Sequence, residues 1–256
     1  MTIDIKTLIE KRPHLKDPLE FYARWQRFQQ EAAELLPKKE SSSSPLDSQA
    51  YPRENARSVF QLFVSIFDLP AGELEPLAQA LENGEIDFMR LPLEDFPDLP
   101  LPYAKEELTA ILFLLSRPYF LALRETFPLD GSEWESGHCP LCSARPALAS
   151  IVEGPRRHLH CSWCGTAGPH RLYIGCPNCG AKNEAKLRTL VPEEEPGFRV
   201  AACDECRTYV KVVENSILSE MSIDLADLAS LPLDIVAQEK GYVRTTPNPI
   251  GMKKME

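Results

Sequence analysis

The chain has 256 residues, 43% hydrophobic and 26% charged, the balance of an ordinary globular protein with room for about two domains. Its formal charge of −10 is uneven: between Cys139 and Val213 ten Lys/Arg stand against seven Asp/Glu, leaving that stretch mildly basic and the rest acidic. This argues against tight nonspecific DNA binding, which needs concentrated positive charge. The longest apolar run, Ala110 to Leu123, is interrupted by Arg117 and Pro118 and is too short for a membrane span. The N-terminal MTIDIKTLIEKRPHLKDP lacks the apolar core of a signal peptide, so a cytoplasmic protein is expected.

In chain order, a first helix is expected from Pro18 to Leu36, capped by Asp17 with Glu20 completing a capping box. Phe21, Trp25, Phe28, Ala32 and Leu35 form its apolar stripe. Lys38 to Ser48 carries four consecutive serines and reads as a loop. The helical period returns from Arg53 to Phe67, and a short helix with Leu74, Leu77, Ala78 and Leu81 ends at Asn83-Gly84. Prolines 92, 97, 100 and 102 mark an extended connection. A central helix follows from Tyr103 to Ser116; Pro118 ends or kinks it, and Tyr119 to Glu125 continue as a second piece. Residues 128–138 read as a linker.

Beyond it, short strands are expected at Arg157–Cys161, Arg171–Ile174, Lys186–Leu190, Phe198–Ala202 and Thr208–Val213, with Glu193 to Glu195 at a solvated hairpin tip. Asp224 to Lys240 reads as helix broken at Pro232 and stopped at Gly241, followed by a tail from Tyr242 to Pro249. The expected class is α+β. An all-helical N-terminal domain (1–130) precedes two tandem rubredoxin-like or zinc-ribbon modules with small antiparallel hairpins (131–174 and 175–214) and a C-terminal helical segment (215–256).

All eight cysteines fall in this region as four Cys-x-x-Cys pairs: Cys139/Cys142, Cys161/Cys164, Cys176/Cys179 and Cys203/Cys206. Two thiolates three residues apart on one turn can face one metal ion, and a second turn completes a tetrahedral all-sulfur site. The longer gaps, from Cys142 to Cys161 and from Cys179 to Cys203, each hold a strand, a turn and a return strand. The pairs therefore read as two serial sites, Cys139/Cys142/Cys161/Cys164 and Cys176/Cys179/Cys203/Cys206. Cross-bracing, first pair with third and second with fourth, is the alternative; disulfides do not suit a chain without a secretory signal. Zinc and iron both suit four thiolates. In such turns the residue after the second cysteine takes a positive φ, which glycine tolerates best. Gly165 and Gly180 fit, whereas Ser143 and Arg207 do not, so the first and fourth turns are expected to be less regular. His138, His158, His160 and His170 read as neighbours of the sites, not ligands. A closed shell of four sulfurs leaves no open position for a substrate, and no catalytic motif or nucleotide loop is present, so the chain is not expected to be an enzyme.

The run Cys139-Pro-Leu-Cys142, His160-Cys-Ser-Trp-Cys-Gly165, Cys176-Pro-Asn-Cys-Gly180 and Cys203-Asp-Glu-Cys206-Arg-Thr-Tyr209-Val-Lys211 resembles the formate dehydrogenase accessory protein FdhE family. So do Asp224-Leu-Ala-Asp227-Leu and the closing Asn248-Pro249; over the helical half the resemblance is one of length and layout. It implies a cytoplasmic assembly factor with two metal ions, iron or zinc, each in a four-cysteine site. It further implies contact with the large catalytic subunit of formate dehydrogenase, with Trp163, Arg171 and Tyr209 as contact candidates; a homodimer is left open. Two rivals from other classes are a rubredoxin-like electron carrier, told by a reversibly bleaching iron-thiolate colour, and a nucleic-acid-binding zinc ribbon, told by salt-sensitive gel shifts.

Overall fold

The computed structural model describes residues 4–36, 53–92, 101–127, 129, 131–135, 137–151, 157–171, 175–192 and 195–247. The chain forms two compact units. One comprises residues 21–128 with 247–256; the other comprises 1–20 with 129–246, and the division falls inside a helix. The expected loop Lys38–Ser48 lies outside the described residues, as does most of the expected connection from Leu91 to Pro102.

In the helical unit, α2 (Lys16–Leu35), α3 (Arg53–Phe67), α4 (Glu75–Asn83) and α5 (Lys105–Thr126) supply the core. Helix α2 begins earlier than expected. The 3-10 turn Pro13–Leu15 delivers Lys16 already in helical geometry, so Asp17 lies in the first turn and not at the cap. Its buried stripe is accordingly Leu19, Tyr22, Trp25, Phe28, Ala32 and Leu36, while Leu35 is exposed. Helix α3 has the expected bounds, and Phe28 meets Phe63 at 5.2 Å between ring centroids. Gly84 ends α4 with φ +71.

Helix α5 runs through Pro118 without ending. A proline inside a helix costs about 3 kcal/mol. Burial of Leu112, Phe113 and Leu115 before it, and of Tyr119, Phe120 and Leu123 after it, offsets that several times over at about 1.5–3 kcal/mol per side chain. The described residues contain no helix long and apolar enough to cross a membrane.

The strand unit is built on one sheet: β1 (Pro146–Ile151), β2 (Arg157–Cys161), β3 (Ala167–Pro169), β4 (Leu187–Leu190), β5 (Phe198–Cys203), β6 (Thr208–Glu214) and β7 (Val243–Arg244). The order is β3-β2-β1-β6-β5-β4. Each half is an antiparallel meander, and β1 joins β6 in parallel with Leu148 opposite Lys211. β7 extends the same edge of β6 at Thr208 and Tyr209. Strands from both expected modules therefore lie in one sheet, joined by the β1–β6 pair. Strand β1 was not expected at all; β3 appears where Arg171–Ile174 was predicted to pair, and positions 172–174 of that prediction lie outside the described residues. Trp134, in the expected linker, is fully buried and bridges His170.

Helix α1 (Ile5–Lys11) belongs to this unit. Arg12, just after it, pairs with Glu195 at 2.7 Å and donates to the Ala229 carbonyl at 2.8 Å. Glu195 is thus buried, not part of a solvated tip; Glu193 and Glu194 lie outside the described residues. After the short α6 (Asn215–Leu218) come α7 (Ile223–Ala229) and α8 (Leu231–Glu239). The Ser222 hydroxyl caps α7 by accepting from Leu225 N, and the expected break falls at Ser230, with Pro232 in the first turn of α8.

These helices meet the sheet through a buried ionic cluster. Lys211 Nζ lies 2.6 Å from Asp227 and 2.7 Å from Asp234; Arg244 reaches the same two carboxylates at 2.6 and 3.1 Å. Tyr209 donates to Asp234 at 2.6 Å. Two cations balance two anions, so the burial is electrically neutral.

Candidate metal centres

Each half of the sheet repeats one plan. A Cys-x-x-Cys turn precedes the first strand, the second strand ends on a cysteine that opens another such turn, and a third strand leaves it. The sequence carries the repeat in small print: Cys-Pro-x-Cys-(Ser/Gly)-Ala at 139 and 176, and Cys-x-x-Cys-(Gly/Arg)-Thr at 161 and 203.

All four turns share one geometry. The N–H of Ser143, Gly165, Gly180 and Arg207 donates to the carbonyl of Cys139, Cys161, Cys176 and Cys203 at 2.9, 3.0, 2.9 and 2.9 Å. Those four residues have φ of +60, +75, +75 and +57. The expectation that the first and fourth turns are less regular is overturned. The left-handed region costs a non-glycine residue about 1–2 kcal/mol, and the turn that aims two sulfurs at one point imposes it regardless. Arg207 is held there by its side chain, which donates to the Lys240 carbonyl at 2.7 Å and lies 4.4 Å from the Tyr242 ring centroid.

The turns bring the eight cysteines together in two groups, Cys139/Cys142/Cys161/Cys164 and Cys176/Cys179/Cys203/Cys206, with the sulfurs of each group within 4.8 Å of one another. The grouping is serial, and the cross-braced alternative is not formed. No cysteine is in a disulfide. Sulfur pairs stand at 3.5 Å (Cys139–Cys164), 3.4 Å (Cys142–Cys161), 3.7 Å (Cys142–Cys164), 3.6 Å (Cys176–Cys206) and 3.8 Å (Cys179–Cys203). A tetrahedral ion with metal–sulfur bonds of about 2.3 Å requires edges of about 3.8 Å. Each group could therefore hold one metal ion with little movement.

Backbone and hydroxyl groups already point at the sulfurs. Cys164 N lies 3.5 Å from Cys161 Sγ and Asn178 N 3.4 Å from Cys176 Sγ. The repeated threonines lie beside sulfurs too, Cys164 Sγ donating to Thr166 Oγ1 at 3.2 Å and Thr208 Oγ1 lying 3.0 Å from Cys206 Sγ. Burial pushes the Cys142 and Cys161 thiols well up. Burial acts the same way on Cys206, but hydrogen bonds led by the Thr208 hydroxyl outweigh it and bring that thiol to about 7. A bound cation would favour the thiolate at every position.

The two groups differ in access. All four cysteines of the first are buried, whereas Cys179 is exposed and Cys206 half-buried in the second. None of the four histidines joins either group; His138 is exposed, and His160 Nε2 lies 2.8 Å from Ser150 Oγ. Of the expected contact residues, Trp163 and Tyr209 are buried, at 2% and 3% exposure, and only Arg171 faces solvent. The sequence reading missed the ionic cluster, although the apolar-flanked Lys211 and the Asp227/Asp234 spacing on the following helices were its visible signal.

Residues 174–250 match the family described as FdhE, C-terminal domain. A protein FdhE homologue from Shewanella baltica (strain OS185) is 38% identical over 119 residues, covering 44% of this chain and 38% of that protein. An FdhE homologue from Aquifex aeolicus (strain VF5) is 28% identical over 147 residues, covering 54% and 51%. Protein FdhE of Escherichia coli O1:K1 / APEC is 30% identical over 115 residues, covering 44% and 37%. The matched stretch thus spans about half or less of these relatives' length. The crystal structure of the FdhE protein from Pseudomonas aeruginosa shares the fold, with TM-score 0.69 and 21% identity over 96% of this chain and 92% of that one. This chain thus resembles FdhE proteins in its C-terminal region and shares the fold of a solved one.

Proposed function

We propose that this protein is an accessory factor in forming active formate dehydrogenase, working by binding and not by catalysis. In this reading Cys139, Cys142, Cys161 and Cys164 hold one metal ion, iron or zinc, and Cys176, Cys179, Cys203 and Cys206 hold a second. The partner is the large catalytic subunit of formate dehydrogenase, met in the cytoplasm. The match of residues 174–250 to the FdhE C-terminal domain, and the likeness to named FdhE proteins, support the accessory role. The observation that carries the reading is the pair of all-sulfur groups on one sheet, each with four protein ligands near tetrahedral spacing. Four thiolates fill a tetrahedral shell, so the ion has no open position at which to activate a substrate, and its work is to hold the turns in place.

The test is an anaerobic affinity capture from the native host, with mass spectrometry of the retained proteins. A formate dehydrogenase catalytic subunit is expected with the parent protein and is expected to be lost after metal removal by chelation. Enrichment of polymerase, ribosomal or electron-transfer proteins in its place would overturn the reading.

A further inference from the structure

Two cations of the first half of the sheet reach the second four-cysteine group. Arg145, three residues after Cys142, donates from Nη1 to the Asn178 carbonyl at 2.6 Å, inside the turn between Cys176 and Cys179. The backbones meet closely there. A Cβ added at Gly137 would lie 1.3 Å from the Pro177 carbonyl oxygen, so only glycine permits the approach. Arg157, the first residue of β2, lines a small cleft together with Cys176, Asn178 and Cys203.

The register explains how Arg157 arrives. It pairs with Ile151 on β1; Ala149, two residues earlier, pairs with Leu159 on one side and Val212 on the other. These residues share one face of the sheet. Strand β2 lies two strands from β6, about 10 Å away, and the small Ala149 leaves the long arginine stem room to cross. The neighbouring Arg188 and Arg199 are paired with Asp204 and Glu214. Among the described residues, neither Arg157 nor Arg145 has a carboxylate within ion-pair distance. Burial, with Arg199 nearby, draws the Arg157 guanidinium down from its ordinary value, and the Cys176 sulfur acts in the opposite sense.

Four thiolates around a divalent ion leave a net charge of −2. Such a centre, half removed from water, needs compensating charge. We propose that Arg157, assisted by Arg145, supplies that compensation, so that the first half of the sheet sets the metal affinity of the second centre. The inference rests on the reading that the two cysteine groups hold metal, and the experiment separates the two.

The full-length chain is loaded with cadmium-113, whose NMR resonance reports each all-sulfur site separately and is assigned by scalar coupling to the β-protons of its own cysteines. A chelator then competes for each ion. Arg157→Gln is expected to weaken the second site about 10- to 100-fold, the usual effect of removing a partner just outside the ligand shell, while the first site is unchanged. Arg145→Gln is expected to weaken the same site by less, and Arg157→Lys to restore most of the loss. Parental affinity in Arg157→Gln, equal loss at both sites, or a lysine variant as weak as the glutamine would overturn the proposal. Parent protein that takes up no cadmium at either group would remove the metal reading itself, and the inference with it.

Discussion

The two four-cysteine groups are built by one plan and differ in what surrounds them. The first is sealed: Cys139, Cys142, Cys161 and Cys164 are each at most 2% exposed, with Trp163 and Leu159 packed into the same half of the sheet. The second stands at the margin, with Cys179 in solvent, Cys206 half-covered and its supporting cations borrowed from the first half. The same ligand chemistry thus occurs in a closed and an accessible form within one sheet. The closed centre belongs to the core; the accessible one can be reached by chelators, thiols or a docking protein.

The largest effect should come from breaking the closed centre. Cys161→Ala is expected to abolish folding of the strand unit, because metal coordination at structural sites contributes about 10–16 kcal/mol. Cys179→Ala, at the exposed corner, is expected to keep the sheet while weakening retention of one ion. Far-ultraviolet circular dichroism with metal analysis distinguishes the two, and equal damage from both would erase the contrast. Without mutation, timed chelation should empty the second centre first; simultaneous loss would show that burial does not set the order.

The ionic cluster under α7 and α8 comes next. Lys211→Met leaves Asp227 and Asp234 to share Arg244 alone and should cost about 3–5 kcal/mol in denaturant unfolding. Asp227 also sets a pH dependence. Burial raises its pKa, but Arg244 and Lys211 outweigh burial and hold its carboxyl well below the ordinary value. Its contribution is therefore complete above the unfolded carboxylate value near about 4 and fades as pH falls through the lower folded value. The stability gap between parent and Asp227→Asn should narrow as the solution is acidified below that point. A gap independent of pH would sink the assignment.

The smallest effect sharpens the comparison of turns. Ser143→Gly relieves a left-handed residue and should raise thermal stability by about 1 kcal/mol. Arg207→Gly relieves the same strain but forfeits the Lys240 hydrogen bond and the Tyr242 contact, so it should gain nothing. Equal gains from both would mean that the Arg207 side chain contributes nothing to its turn.

Much of this was legible in the sequence, for physical reasons. The cysteine grouping followed from spacing, because a strand, turn and return strand fit only the longer gaps. Helix α3 emerged with its bounds because its apolar residues recur cleanly on one face and a largely polar stretch precedes it. Strand β1 did not emerge because Pro146 to Ile151 is buried on both faces between two partners, which removes the alternation that marks a strand. Pro118 misled because tertiary burial outweighs its local cost. Trp163 and Tyr209 were contact candidates through the resemblance and their place near the turns, and nothing local marks an aromatic side chain as covered. Arg12 and Glu195 lie far apart in the chain, so their pairing left no local trace.

The parallel union of β1 with β6 imposes an order in time. β1 emerges early in synthesis and acquires its antiparallel partner β2 almost at once, but its other edge stays bare until Lys211 arrives to face Leu148. Closing a pairing so distant in sequence is slow, and a bare central strand is a template for wrong partners. The completed sheet is then expected to appear as one late, cooperative event. In pulsed hydrogen exchange during refolding, the β1 amides that face β6 should gain protection together with β6 itself.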